Sequence, residues 1–270
     1  MQTEKSLLKF ALEYLEAITN NDIERLLLSP DLKVTYNGIK TTLAGSPVWG
    51  APRRIPFRQT FADPETGSVV FFGVITNTTT RHAGFAAKWW LCAIRLKIDN
   101  NEIVEIEEIA TDSIFAHFEK NFWELRPNLA FNYPLAERAR STREEMVEIV
   151  ECYWRAVEGN IDSYDIPFHP DAVRSECGTI TTDAKNFPNS ARGDFTKVTN
   201  DGWRWDVVNR RYPVIDTDRG IVISFVDLIT TGQTNPDFLP CIVAEIFKIE
   251  NGLLKDIFAV FYAGENRSDW

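Results

Sequence analysis

The chain has 270 residues, 44% of them hydrophobic and 25% charged, which is the balance of a globular protein. Its length exceeds the usual single domain, so two domains of about 130 residues are expected, each large enough for its own core. A net charge of -10 repels polyanions over most of the surface and argues against nucleic acid as a partner.

The N-terminal stretch MQTEKSLLKFALEYLEAITNND has acids throughout its apolar part and so lacks a signal-peptide core. No run approaches the roughly 18 apolar residues needed to span a bilayer, so a cytoplasmic protein without membrane contact is expected. A first helix is expected from Thr3 to Thr19, because Leu7, Phe10, Ala11, Tyr14, Leu15 and Ile18 recur at spacings of three and four and share one face. Asn21 to Leu26 reads as a short second helix ended by Pro30. An irregular stretch rich in Pro, Gly, Asn and Arg follows, containing Trp49, and then a strand from Gly67 to Thr76. Ala87 to Ala110, AKWWLCAIRLKIDNNEIVEIEEIA, is two alternating runs joined at Asp99-Asn100-Asn101, a turn that accepts the positive φ of a tight hairpin.

Residues Ile114 to Arg140, with Pro127 and Pro134, read as a helical tail and linker. The order of elements then starts again. Met146, Ile149, Val150, Tyr153, Trp154 and Val157 form a second helix face, its start marked by a capping box between Ser141 and Glu144. One constant shift maps all six positions onto the first helix. After one inserted residue Pro30-Asp31 pairs with Pro170-Asp171, Gly38 with Gly178 and Thr41-Thr42 with Thr181-Thr182. A second irregular stretch holds Trp203 and Trp205, a strand runs from Gly220 to Ile229, and LPCIVAEIFKIENGLLKDIFAVFY repeats the hairpin with Asn251-Gly252 at its turn. A duplicated unit is the reading: residues 1–126, a linker over 127–140, and residues 141–270. Helices first and strands afterwards in each half indicate α+β, helices packed on one face of a curved, mainly antiparallel sheet.

The order helix, NDIERLLLSPDLKVTYNG, then a hairpin with a polar turn resembles the NTF2-like superfamily, which includes ketosteroid isomerase and the SnoaL-type cyclases; PVWGAP, FADPETGSVVFFGVI and RLKIDNNEIVEIE are similar to an uncharacterised fungal and bacterial subset of it. The resemblance implies two tandem cones, each with an apolar pocket between its long helix and the concave sheet face. It places Tyr14 and Tyr153 where a helix phenol donates to a substrate oxygen, and puts the proton-moving position on Tyr36 in the first half and Glu176 in the second. Members include enzymes, transport adaptors and assembly domains, so the site has to be argued by residue.

A carboxylate in an apolar cavity has its charged form disfavoured, and its pKa rises to where it can take and return a proton; a phenol aimed at a developing oxyanion stabilises the enolate. Glu176 and Tyr153 could together run enolisation, double-bond migration, dehydration or an aldol-type closure. The alternative is a core tyrosine, with Glu176 paired to a nearby Arg such as Arg174. Glu245, at an alternate position of the apolar strand CIVAEIF, is either a buried proton donor or one end of a salt bridge; its counterpart in the first half is Ile94. His169 is either a proton shuttle near Glu176 or a surface residue. Asp227, ending the strand GIVISFVD, is either a substrate-binding residue or the mark of a strand exit, and Arg211 and Trp203 with Trp205 lie in the irregular stretch that would edge the pocket, where Arg could hold a substrate carboxylate bidentately or be solvated at the surface. The first pocket would be lined by Tyr14, Tyr36, Trp49 and Trp90 and lacks an evident buried acid.

Cys92, Cys152, Cys177 and Cys241 show no paired spacing and no ligand cluster accompanies the three histidines, so free thiols, no metal and no cofactor are expected. Phosphate-loop, dinucleotide and serine-hydrolase motifs are absent. The sequence thus points to a cofactor-independent isomerase or lyase, of cyclase or dehydratase type, acting on an apolar oxygenated small molecule in the second half. The competing readings are a non-catalytic binding or assembly protein and an epoxide hydrolase. The halves either form an internal pseudo-dimer within a monomer or the chain forms homodimers through the sheet.

Overall fold

The computed structural model describes residues 2–51, 53–77, 89–111, 128–160, 165–183, 203–232 and 239–264. The chain divides into two compact units at the junction of Pro127 and Asn128.

The first unit begins with helix α1, Glu4–Asn20, whose seven buried residues include Leu7, Phe10, Tyr14 and Ile18. Its start is a capping box: the Thr3 hydroxyl accepts from the Ser6 amide and the Ser6 hydroxyl from the Thr3 amide, which satisfies two donors the helix leaves unpaired. It ends at Asn21, whose φ of 55° lets its amide turn back to Ala17 and Ile18. Six strands follow: β1 Leu28–Tyr36, β2 Ile39–Thr41, β3 Arg54–Asp63, β4 Ser68–Thr76, β5 Trp89–Asp99 and β6 Glu102–Thr111. They form one sheet in the order β2-β1-β6-β5-β4-β3. All neighbours are antiparallel except β1 and β6, which are parallel.

The second unit repeats this with helix α2, Arg143–Val157, and strands β7 Phe168–Glu176, β8 Thr179–Asp183, β9 Trp203–Asp216, β10 Ile221–Gly232, β11 Cys241–Glu250 and β12 Leu253–Ala263. The sheet order is β8-β7-β12-β11-β10-β9, again with one parallel pair, β7 with β12. Both helices face their sheets, and the expected α+β class holds in each half. Both hairpin turns are where the sequence puts them, with positive φ at Asn100, Asn101, Asn251 and Gly252.

Four local expectations are corrected. The capping box of α2 joins Thr142 to Glu145, one residue beyond the expected pair, because the Thr142 hydroxyl is the one that meets the N3 amide. The short second helix is a single 3-10 turn, Ile23–Arg25, and Pro30 lies inside β1, where a register irregularity between Leu28 and Lys33 accommodates it. The two irregular stretches contain strands β3 and β9. The segment expected as a linker is, from residue 128 on, part of the second unit: Phe131 is buried, the Leu135 amide donates to Asp218 O at 2.7 Å, and the Asn251 amide donates to Ala139 O at 2.9 Å. The expected helical tail falls mostly on 112–127, outside the described residues.

Candidate active site

Strand pairing aligns the two units row by row. Under α1, one row across the sheet is Phe71, Ile94, Glu108 and Tyr36. Under α2 the equivalent row is Ser224, Glu245, Ala259 and Glu176. Each row has one acid next to the helix tyrosine, but on different strands. In the first unit it stands on β6 opposite Ile94, and in the second on β11 opposite Ala259. Directly opposed residues of an antiparallel pair have Cβ atoms only about 5 Å apart, so a carboxylate from either strand reaches the same phenol.

In the first unit the Tyr14 hydroxyl donates to Glu108 Oε1 at 2.6 Å, the Trp49 indole to the same oxygen at 3.2 Å, and the Ser46 hydroxyl to Oε2. Tyr14 and Glu108 are 1% and 0% exposed, and Tyr14 meets Trp49 edge to face at 5.5 Å. Burial raises the Glu108 pKa, although its three donors favour the ionised form; burial and then the charge of Glu108 push the Tyr14 phenol well up. The interior beneath α1 therefore does contain a buried acid, contrary to the expectation. Tyr36 is half-buried against the same core and Trp90 is buried beneath the Arg53 guanidinium, 5.1 Å away.

In the second unit the Tyr153 hydroxyl donates to Glu245 Oε1 at 3.0 Å, and each residue is 2% exposed. Burial drives the Glu245 carboxyl up to about 8, offset in part by Arg174 and reinforced by Glu176. Burial and Glu245 also raise Tyr153 well above an ordinary phenol. Arg174 hydrogen-bonds Tyr153 and faces Glu176, Nε to Oε1 at 3.8 Å. Burial works against the Arg174 charge, but Glu176, Tyr153 and Glu245 outweigh it and keep the guanidinium protonated. These four side chains form one polar chain from the interior outward, ending at Glu176, whose side chain is 31% exposed. The sequence alternative of an Arg174–Glu176 pair is thus present, and it is joined to the tyrosine and the inner acid.

Beside this chain two buried donors have no hydrogen-bond partner among the described residues, the Ser224 hydroxyl and the Trp154 indole N–H. Ser224 is Glu245's neighbour on β10. The Trp154 ring packs against Tyr153 at 4.9 Å and Phe247 at 5.9 Å. The first unit has Phe71 where Ser224 stands and Leu15 where Trp154 stands, both packed into its core.

The other expected site residues divide. Trp205 is in the core beneath α2, whereas the side chain of Trp203 lies outside the described residues. His169 is not a shuttle for Glu176. It sits at the opposite end of β7, about 23 Å away at roughly 3.3 Å per residue, where its Nδ1 accepts from the Asp171 amide. Arg211 and Asp227 lie on the sheet face away from α2: Arg211 stacks over Phe225 at 5.7 Å, and Asp227 accepts from the Asn209 side chain at 2.6 Å, holding the β9 irregularity where Asn209 has a φ of 53°. Neighbouring Arg210 instead ties β9 to α2 through Glu151 and Glu158 at 2.5 and 2.6 Å. All four cysteines are free thiols, two of them buried, and no helix is long and apolar enough to cross a membrane among the described residues.

One helix followed by six strands in this order, twice over, is the tandem NTF2-like architecture the sequence resemblance implies. Among solved structures the chain is similar to a candidate polyketide cyclase from Silicibacter sp. TM1040, at 11% identity over 44% of this chain and 90% of that one, with a TM-score of 0.35. It is also similar to the Delta 5-3-ketosteroid isomerase of Mycobacterium sp., at 12% identity over 41% of this chain and all of that one, with a TM-score of 0.30. An NTF-2 like protein of unknown function from Burkholderia xenovorans LB400 matches at 13% identity over 47% and 90%, with a TM-score of 0.34. No curated protein matches. A family model does, over residues 1–110 and 139–261, and on that match the chain belongs to the family described as "Domain of unknown function (DUF8021)".

Proposed function

We propose that the second unit is a cofactor-independent acid–base catalyst, an isomerase or lyase of cyclase or dehydratase type, acting on an apolar small molecule with a carbonyl oxygen. The observation that supports it best is the contrast between the units. In the first, Glu108 is closed off by three donors; in the second, Tyr153 and Glu245 stand beside two orphaned donors, and the polar chain leads out to Glu176. An orphaned buried donor costs about 1–3 kcal/mol, an expense that a bound acceptor oxygen removes.

The roles follow from protonation. Glu245, neutral below about pH 8, donates its own O–H outward while one of its oxygens accepts from Tyr153. A substrate carbonyl placed against the Glu245 O–H and the unpartnered Ser224 and Trp154 donors gains hydrogen bonds that strengthen as it becomes an enolate. Glu176 removes a proton from the carbon next to that carbonyl, and the C–H electrons move to the oxygen. Glu176 then returns the proton to another carbon, which shifts a double bond, or to a departing hydroxyl, which completes a dehydration. Arg174 holds Glu176 and Tyr153 in place through the cycle.

The test is exchange of enolisable C–H for deuterium, followed by NMR over a panel of β,γ-unsaturated ketones. Glu176→Gln retains size and hydrogen bonding but cannot move a proton, so exchange should fall by about 10²-fold or more while binding, read from tryptophan fluorescence, persists. Unchanged exchange in that variant overturns the reading.

A further inference from the structure

The internal duplication exposes a second feature, far from the tyrosine–acid pairs and independent of the reaction proposed for them. At the end of each sheet where the β3–β4 turn meets the β5–β6 turn, or β9–β10 meets β11–β12, the two units have the same framework. A glycine with positive φ, Gly67 or Gly220, closes the first turn. Its carbonyl accepts from the amide of Ile98 or Ile249. A lysine, Lys97 or Lys248, reaches back to the carbonyl just before that glycine, on Thr66 or Arg219.

In the second unit this surface is covered by residues 128–140. Lys248 Nζ also donates to Tyr133 O at 3.3 Å. Leu135 lies so close to Gly220 that a Cβ there would meet its Cδ1 at 2.6 Å. The Asn251 amide donates to Ala139 O at 2.9 Å. Arg140 pairs with Asp218 at 2.5 Å, and the Asn128 side-chain Nδ2 donates to Asp256 Oδ1 at 3.3 Å.

In the first unit the same surface is a groove of about 830 Å³, lined among others by Glu65, Gly67, Lys97, Asn100 and Glu105. The groups that grip the covering segment in the second unit have counterparts here. Asn100 matches Asn251, and its amide turns to its own neighbour, Asp99 Oδ1, at 2.9 Å. Glu65 matches Asp218 and Glu105 matches Asp256, so both acids are retained. Where a Cβ on Gly220 would meet Leu135, one on Gly67 would meet Ile98 O at 2.9 Å and the end of the Gln2 side chain at 3.2 Å.

We propose that this groove docks a peptide segment of a partner polypeptide built like residues 133–140 of this chain, a short open stretch followed by a single 3-10 turn at Glu137–Ala139. An aliphatic side chain would seat on Gly67, backbone carbonyls would accept from Lys97 Nζ and the Asn100 amide, and an arginine a few residues further on would meet Glu65. Peptide segments gripped through their main chain gain affinity from those hydrogen bonds and selectivity from single side-chain seats.

The test uses the full chain and a synthetic peptide of residues 128–140 with a photo-reactive residue in place of Leu135. Saturable binding is expected, with cross-links mapping to residues 64–67 and 97–101. Glu65→Lys should weaken binding by about threefold or more through charge reversal at the arginine seat, with no change in the melting temperature. Absence of saturable binding, cross-links confined to the second unit, or equal binding by Glu65→Lys overturns the proposal. If the chain alone dimerises and Glu65→Lys dissolves the dimer, the occupant is a second copy and the partner assignment fails.

Discussion

Glu245 and Glu108 accept the hydroxyl of the helix tyrosine from different strands, and their other partners determine what each can tolerate. Glu108 is held by Tyr14, Ser46 and Trp49, so Glu108→Ala leaves three buried donors without an acceptor and should cost about 3 kcal/mol or more, measured as a lower urea midpoint. Glu245 has one donor and a pKa of about 8, against an ordinary 4.5. The folded chain therefore holds a proton on it that the unfolded chain releases above about pH 4.5. Its contribution to stability is complete below that pH and is lost as pH rises to about 8. At about 1.4 kcal/mol per pKa unit the loss amounts to a few kcal/mol. Glu245→Gln, which keeps the bond from Tyr153 but cannot titrate, should flatten the denaturation midpoint between pH 5 and 8. A wild-type profile already flat over that range rules the assignment out.

Among the elements, what could be read from sequence depended on whether a pattern had a single physical cause. The faces of α1 and α2 and the two Asn-turn hairpins follow from spacing and positive φ, and they were legible. So were Tyr14 and Tyr153, placed by helical period, and Glu245, an acid at an inward position of CIVAEIF. Glu108 was not, because IVEIEEIA puts Glu107 and Glu108 on opposite faces. Both are buried, one bonded to Arg95 at 3.0 Å and the other to Tyr14, and periodicity cannot tell which faces the helix. Strands β3 and β9 were missed because each contains a proline and several charges, features that an edge strand tolerates and a central one does not. His169, Arg211 and Asp227 were misplaced because a strand end and a bulge decide which way a residue points. The cross-strand equivalence itself is open to test. Glu245→Ala should destabilise the second unit, and adding Ala259→Glu should restore most of the loss by rebuilding the arrangement of the first unit. Additive destabilisation in a chemical denaturation series would disprove the equivalence.

For the whole molecule, the duplication means that two compact units share one plan but not one boundary. Helical periodicity puts the start of the second unit near α2, yet the chain from residue 128 onward already belongs to it: Phe131 is buried, and Leu135, Ala139 and Arg140 bond to the turns at Asp218 and Asn251. A fully buried Phe side chain contributes about 1.5–3 kcal/mol through its apolar area alone, and the backbone hydrogen bonds add about 1 kcal/mol each. Set against a total stability of about 5–15 kcal/mol for a domain, that is enough to decide whether the unit folds. A fragment spanning 128–266 should therefore unfold cooperatively, while one starting at residue 141 should melt at least 10 °C lower or fail to fold, since 1 kcal/mol shifts the midpoint by about 2–8 °C in domains of this size range. Circular dichroism melts of the two fragments give the comparison directly. Equal melting temperatures would mean that residues 128–140 lie on the unit without stabilising it, and would also remove the precedent for a gripped peptide in the first unit's groove.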